Sequence, residues 1–209
     1  MSTNWQTTFQ DHGAIWIHDG KKARPHALLT SGLHSDGFVN CTLVTQHASL
    51  LQQIVSSPEG LAPKLPAEKV DWVIGSAYGA VTFAYAVALQ LKAKTGFTEK
   101  DGEAMKLSRF EIGKNETVLV VEDTISTGGS TLKTIEGILK SGVPADNILP
   151  YIVCLVNRSG SDQLAGRALR PLIKTDIHTW QPAECPLCKA GSQAVRPKSH
   201  WRELTAQYS

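Results

Sequence analysis

The residues best equipped for chemistry sit together in Val118–Thr131, which reads VLVVEDTISTGGST. Two carboxylates, Glu122 and Asp123, follow directly on four apolar residues. Ser126, Thr127, Gly128, Gly129, Ser130 and Thr131 come next. Glycines let backbone N–H groups converge on an anion, hydroxyls donate further hydrogen bonds, and a helix N-terminus adds positive partial charge. The pattern is therefore that of a phosphate site. The two acids cannot hold the phosphate itself; they are placed for something neutral or cationic beside it, such as ribose hydroxyls or hydrated Mg²⁺. The stretch has neither the Gly-Lys-Ser/Thr of a Walker A loop nor the G-x-G-x-x-G of a dinucleotide site.

These groups need elements to hold them. Val118, Leu119, Val120 and Val121 are too short a run for a helix and are mostly β-branched, the composition of a strand buried on both faces. Leu132–Leu139 has helical apolar spacing. Val70–Ile74 predicts a second buried strand, running into Gly75-Ser76-Ala77-Tyr78-Gly79-Ala80 and a helix over 81–92. Ile148–Val156 predicts a third, ending in Asn157-Arg158-Ser159-Gly160, and Pro171–Ile177 a last one. Helices are expected at Gln46–Val55 and, shorter, near Trp5–His12. Two Gly-rich turns after apolar strands fit a doubly wound sheet with ligands at the strands' carboxyl ends. The expected fold is α/β, a central, mainly parallel sheet flanked by helices. At that edge Arg158 is suited to bidentate recognition of a carboxylate.

Two segments have loop chemistry. Thr30–Asn40 gathers Gly, Ser, Asp and His around Phe38 and reads as a loop leading into a strand at Cys41–Val44. Residues 92–114 form a long polar connection, of the kind that is either disordered or functional. Its Leu107–Ile112 part alternates like one arm of a hairpin. In the tail, Cys185 and Cys188 make half a zinc site; His178 and His200 flank them at looser spacing than in a zinc finger. The sequence thus favours a packed, reduced thiol pair over zinc.

The 209 residues are 42% hydrophobic and 19% charged, as in a soluble globular protein of one domain. With 21 Lys and Arg against 19 Asp and Glu, the net charge of +2 gives no reason to expect nucleic acid or an acidic membrane. No run approaches the ~20 apolar residues of a membrane span. The N-terminus has no secretory pattern, so the four cysteines are expected reduced in a cytoplasm.

VLVVEDTISTGGS resembles the phosphoribosyl-pyrophosphate (PRPP) motif of type I phosphoribosyltransferases. Thr30-Ser31-Gly32-Leu33-His34-Ser35 through Phe38 to Asn40 resembles the N-terminal substrate loop of the orotate members, and Gly75–Ala80 their pyrophosphate loop. Asn157-Arg158 matches their Asp-Arg, with Asn replacing Asp. The resemblance spans Thr30 to Gly160 and implies a hood subdomain from about 1–45 plus the C-terminal segment, and a flexible lid at about 94–114. It also implies Mg²⁺, carried by PRPP and water near Glu122 and Asp123, and a homodimer. In this reading Ser126–Thr131 hold the 5-phosphate; Glu122 and Asp123 hold the ribose hydroxyls, with Asp123 a proton acceptor. Ala77, Tyr78, Gly79 and Lys100 take the diphosphate, with Lys106 and Arg109 as alternative lid cations, and Phe38 and Arg158 take the base, orotate. Departures from the family are Thr30, where many members carry lysine, Gly79, where some do, and a lid without its histidine. A purine phosphoribosyltransferase and a PRPP-binding regulator without turnover stay open as alternatives.

Overall fold

Val118–Ile125 takes the middle place in a seven-stranded sheet, because its apolar half leaves no face for water: Val118, Leu119, Val120 and Val121 are all buried. The strand order is Gln163–Leu164, Arg167–Lys174, Ile148–Asn157, Val118–Ile125, Trp72–Ser76, Lys94–Asp101, Ala104–Lys106. The five longer strands run parallel to their neighbours, and each edge ends in a short antiparallel partner. The computed structural model describes residues 3–206.

From Trp72–Ser76 the chain moves outward to Lys94–Asp101, then returns to Val118–Ile125 and proceeds the other way. The two strands on either side of this reversal are neighbours, with Gly75 opposite Val121. A reversal of strand order leaves a crevice at the carboxyl ends, where loops on the two sides part. Helices Val81–Leu91 and Gly129–Lys140 follow directly on the two strands. Around them Ile74, Val120, Ile135, Ile138, Ile152 and Leu169 belong to one apolar core.

The expected helices are present at Trp5–Asp11, Ala48–Ser56 and Val81–Leu91, and the last strand lies at Arg167–Lys174. Three expectations are corrected. Cys41–Val44 is no strand: His34–Ser35 and Gly37–Val39 are the strands, and Thr42–Thr45 is a helical turn. Lys94–Asp101, read as part of a polar connection, is a sheet strand paired with Trp72–Ser76. The hairpin is formed by Lys94–Asp101 and Ala104–Lys106, not by Leu107–Ile112; the chain turns at Gly102, where φ is +59°. Leu107 and Phe110 instead pack on the core.

The chain divides into two units, one built on Val44–Thr175 and the other on Gln6–Leu43 with the chain from Asp176 onward. The second has its own four-stranded sheet, in the order Thr179–Trp180, His34–Ser35, His26–Leu28, Ala194–Val195. Its core holds Trp16, Ala27, Leu29, Val195 and Leu204, with Phe38 and Trp201 partly buried against them. Among the described residues no helix is long and apolar enough to cross a membrane.

Inside the first unit the hydroxyls of Thr98 and Thr134 meet at 2.8 Å, fully buried, tying the Lys94–Asp101 strand to the Gly129–Lys140 helix. Replacing one member strands the other, whereas replacing both removes the need for the bond. Thr98→Val alone is expected to cost about 1–2 kcal/mol in urea unfolding, and Thr98→Val with Thr134→Val less than the sum of the two singles.

Candidate active site

The site forms where Val118–Ile125 leaves the core. Glu122 is buried, and its carboxylate is held from two sides: Ser76 Oγ donates to Oε1 at 2.6 Å and Thr131 Oγ1 donates to Oε2 at 3.1 Å. One acid thus ties the end of the neighbouring strand to the first turn of the following helix. Burial, with the Asp123 charge beside it, pushes the Glu122 carboxyl up to about 8, while the two hydroxyls act in the opposite sense. Asp123 is half-buried, and one of its oxygens accepts the Thr124 N–H at 2.8 Å. Gly79 lies against its carboxylate; a Cβ there would stand 2.7 Å from Oδ2. The turn after Trp72–Ser76 thus closes on Asp123 at residue 79, where a side chain would make the carboxylate shift.

The Ser126–Thr131 loop passes into the following helix through a glycine. Gly128 caps the helix at φ +77°, a left-handed conformation that favours glycine, and a Cβ there would also strike Leu164 at 2.4 Å. The first helical hydrogen bond runs from Leu132 N–H to the Gly128 carbonyl. The amides before it lie in the first turn, where a helix has no carbonyl of its own to offer them. Thr127, Gly129 and Ser130 are exposed there and Ser126 is half-buried. Thr131 differs from expectation: its hydroxyl is committed to Glu122, so only its backbone suits a phosphate.

The turn at Ala77–Gly79 is also divided in its roles. Ala77 N–H, expected to face a diphosphate, donates to the Thr98 carbonyl at 2.8 Å and extends the sheet ladder. Tyr78 is 87% exposed and joined to Ala77 by a cis peptide bond. Tyr78 and Gly79 thus carry the exposed backbone of the turn.

Arg158 stands at the same sheet edge: its N–H donates to the Ile125 carbonyl, the last residue of the acid-bearing strand. Asn157, where the orotate pattern has Asp, shapes the turn. Its Oδ1 accepts from Ser159 N–H and Oγ at 3.0 and 2.7 Å, and its Nδ2 donates to the Ser161 carbonyl at 2.8 Å. An aspartate could not make that last bond. Of the expected lid cations, Arg109 lies beyond the hairpin and is paired with Glu99 at 2.8 Å, whereas Lys100 and Lys106 are exposed on the two arms.

Phe38 belongs to the second unit, edge-on to Trp201 at 5.7 Å between ring centroids. It lines a cavity of about 250 Å³ together with Thr30, Arg196 and Lys198. Sequence reasoning passed over Arg196 and Lys198, because a basic residue in a polar tail carries no local signal of what it lines.

The phosphoribosyl transferase domain family matches this chain over residues 48–164. An orotate phosphoribosyltransferase of Caldicellulosiruptor bescii is 41% identical over 175 residues, covering 83% of this chain and 88% of that one. Another, of Desulforamulus reducens, is 35% identical and covers 91% and 96%. The crystal structure of orotate phosphoribosyltransferase from Aeropyrum pernix is similar with a TM-score of 0.56 at 21% identity, covering 82% of this chain and 93% of that one. An adenine phosphoribosyltransferase from Thermoanaerobacter pseudethanolicus reaches 0.51, covering 66% and 88%. The chain belongs to the phosphoribosyltransferase family. Its sequence relatives named here are the orotate enzymes; the fold alone is common to orotate and adenine enzymes.

Two predictions follow from this geometry. Gly79→Ala pushes the Asp123 carboxylate aside and is expected to lower kcat/KM roughly tenfold or more, about 1.4 kcal/mol in the transition state, with the unfolding midpoint nearly unchanged. Glu122 has a folded-state pKa above its ordinary 4.5, so its buried charge costs nothing below about 4.5 and its cost grows as pH rises towards about 8. The melting temperature of Glu122→Gln relative to wild type, without ligands, is therefore expected to rise between pH 5 and pH 8. A constant difference would show that the carboxyl titrates normally.

Proposed function

We propose that the protein transfers the 5-phosphoribosyl group of PRPP to orotate, giving orotidine 5′-phosphate and pyrophosphate. The observation that carries this reading is the arginine at the site edge: Arg158 follows the buried Ile148–Asn157 strand and bonds through its backbone to the end of the acid-bearing strand. Purines carry no carboxylate for such a residue to hold, and orotate does. Support comes from the orotate enzymes at 35–41% identity over most of the chain.

In this reading the 5-phosphate binds the amides of Gly129, Ser130 and Thr131 with the hydroxyls of Ser126, Thr127 and Ser130. Glu122 and Asp123 face the ribose diol, Asp123 from its half-exposed position and Glu122 as the rigid support beneath it. The nitrogen of the base gives up its proton to Asp123 and bonds to the anomeric carbon as the carbon–oxygen bond to pyrophosphate breaks, and that electron pair leaves with the diphosphate. Positive charge gathers on the ribose carbon, where the fixed, half-exposed Asp123 carboxylate stabilises it. Tyr78 and Gly79 amides, with Lys100 from the hairpin, receive the departing negative charge. By the resemblance of its loop, Phe38 is assigned to the pyrimidine ring. Holding two substrates in line supplies much of the acceleration, and no covalent nucleophile is needed.

Mg²⁺ fits the donor set. Asp123 offers a half-exposed carboxylate to a hydrated cation, while both oxygens of Glu122 already accept hydroxyls, which disfavours direct ligation. Bound with PRPP, the ion would neutralise diphosphate charge. A homodimer and a cytoplasmic setting belong to the same reading, the hairpin cations serving a neighbouring subunit's site.

Pyrophosphate release with PRPP and Mg²⁺ across orotate, uracil, adenine, hypoxanthine and xanthine tests the proposal. Turnover is expected with orotate alone, and Arg158→Ala is expected to raise KM for orotate at least tenfold while KM for PRPP changes little. Turnover with a purine, or PRPP binding with silence across the panel, would contradict it.

A further inference from the structure

The second unit gathers four metal-binding side chains that no part of the transferase reaction uses. His26 and His34 stand on paired antiparallel strands, Leu28 opposite His34, and Cys185 and Cys188 sit on the turn Pro182–Lys189 of the tail. One nitrogen or sulfur from each lies within 4.8 Å of all the others. His26 and Cys185 are fully buried.

The distances fit a metal site. Bonds of ~2.3 Å to sulfur and ~2.0–2.1 Å to nitrogen put the edges of a tetrahedron at about 3.8 Å for S–S, about 3.6 Å for S–N and about 3.4 Å for N–N. Here His26 Nε2 lies 3.6 Å from Cys185 Sγ and 3.5 Å from Cys188 Sγ. His34 Nδ1 is 3.2 Å from Cys188 Sγ and 3.0 Å from His26 Nε2. Four of the six edges thus fall within a few tenths of an ångström of a tetrahedron.

The support behind the ligands is in place as well. Ser192 Oγ donates to the Arg24 carbonyl at 2.6 Å, so it meets His26 Nδ1 at 2.9 Å as an acceptor. The proton therefore sits on Nδ1 and the Nε2 lone pair points into the cluster, as a metal-bound histidine requires. We propose that His26, His34, Cys185 and Cys188 bind one structural Zn²⁺, both thiols losing their protons on binding. Four protein ligands close the coordination sphere, which excludes a catalytic water position and makes the ion a fastener.

The fold gives that fastener a purpose. The unit's sheet strands are two or three residues long, and the tail strands Thr179–Trp180 and Ala194–Val195 attach to opposite edges of the His26–Leu28 and His34–Ser35 pair. Small cores of this kind commonly need a metal or a disulfide to hold them. His178 and His200, the tail histidines that lie nearer in sequence, are occupied otherwise: His178 Nδ1 meets Asp36 at 3.1 Å, and His200 Nδ1 meets the Arg196 carbonyl at 3.2 Å.

Elemental analysis of the full chain, purified without added metal and dialysed, is expected to find one zinc per chain. Replacement by Co²⁺ is expected to give the thiolate charge-transfer and intense visible bands of a tetrahedral sulfur–nitrogen site. Cys188→Ala and His34→Ala are expected to lose the metal and melt earlier, whereas His178→Ala and His200→Ala retain it. Should a ligand variant fail to fold, the cobalt spectrum of the wild-type chain decides alone. A chain that holds no zinc and gives no thiolate band with Co²⁺ would overturn the proposal, as would full zinc retention in a folded Cys185→Ala, Cys188→Ala double variant.

Discussion

A carboxylate at the end of a buried strand is expensive unless its oxygens are met, and Glu122 is met by Ser76 and Thr131. Those two hydroxyls come from the adjoining strand and from the following helix. The bond pair therefore fixes, relative to one another, the turn after Trp72–Ser76, the end of Val118–Ile125 and the start of Gly129–Lys140. Apart from Lys100, everything assigned to PRPP hangs from these three elements. Asp123 is held in place next to this knot, with Gly79 pressed against it, so the two acids divide their work: one is structural and buried, the other presented.

The buried strands explain why the knot can be rigid. Tyr151–Asn157 and the first half of Val118–Ile125 have no solvent face, and shifting them would move Arg158 and Asp123 together. Catalysis by orientation and fixed charge needs this kind of support, since it depends on groups that do not reorganise as charge develops.

Much of this was legible in the sequence, for physical reasons that also mark where legibility stopped. Strands buried on both faces announce themselves as apolar runs, and the acid pair and glycine-rich loop announce a phosphate site by composition. Lys94–Asp101 was missed because its buried positions are Gly96 and Thr98, small residues that leave no apolar alternation. The hydrogen bonds that withdraw Ala77 N–H and the Thr131 hydroxyl from ligand binding are contacts with Thr98 and Glu122, invisible to local pattern. The cysteine pair was read against the histidines nearest in sequence; its true companions lie more than 150 residues upstream and meet it through a sheet.

The central claim is that the Glu122–Asp123 pair faces the ribose while the helix start holds its phosphate. The most direct measurement is a crystal structure with PRPP and Mg²⁺ bound. The account predicts the 5-phosphate on the amides of Gly129, Ser130 and Thr131, with the ribose hydroxyls within hydrogen-bond reach of the acid pair, Asp123 foremost. PRPP bound with its ribose turned away from both carboxylates, or its 5-phosphate outside the loop, would contradict the account.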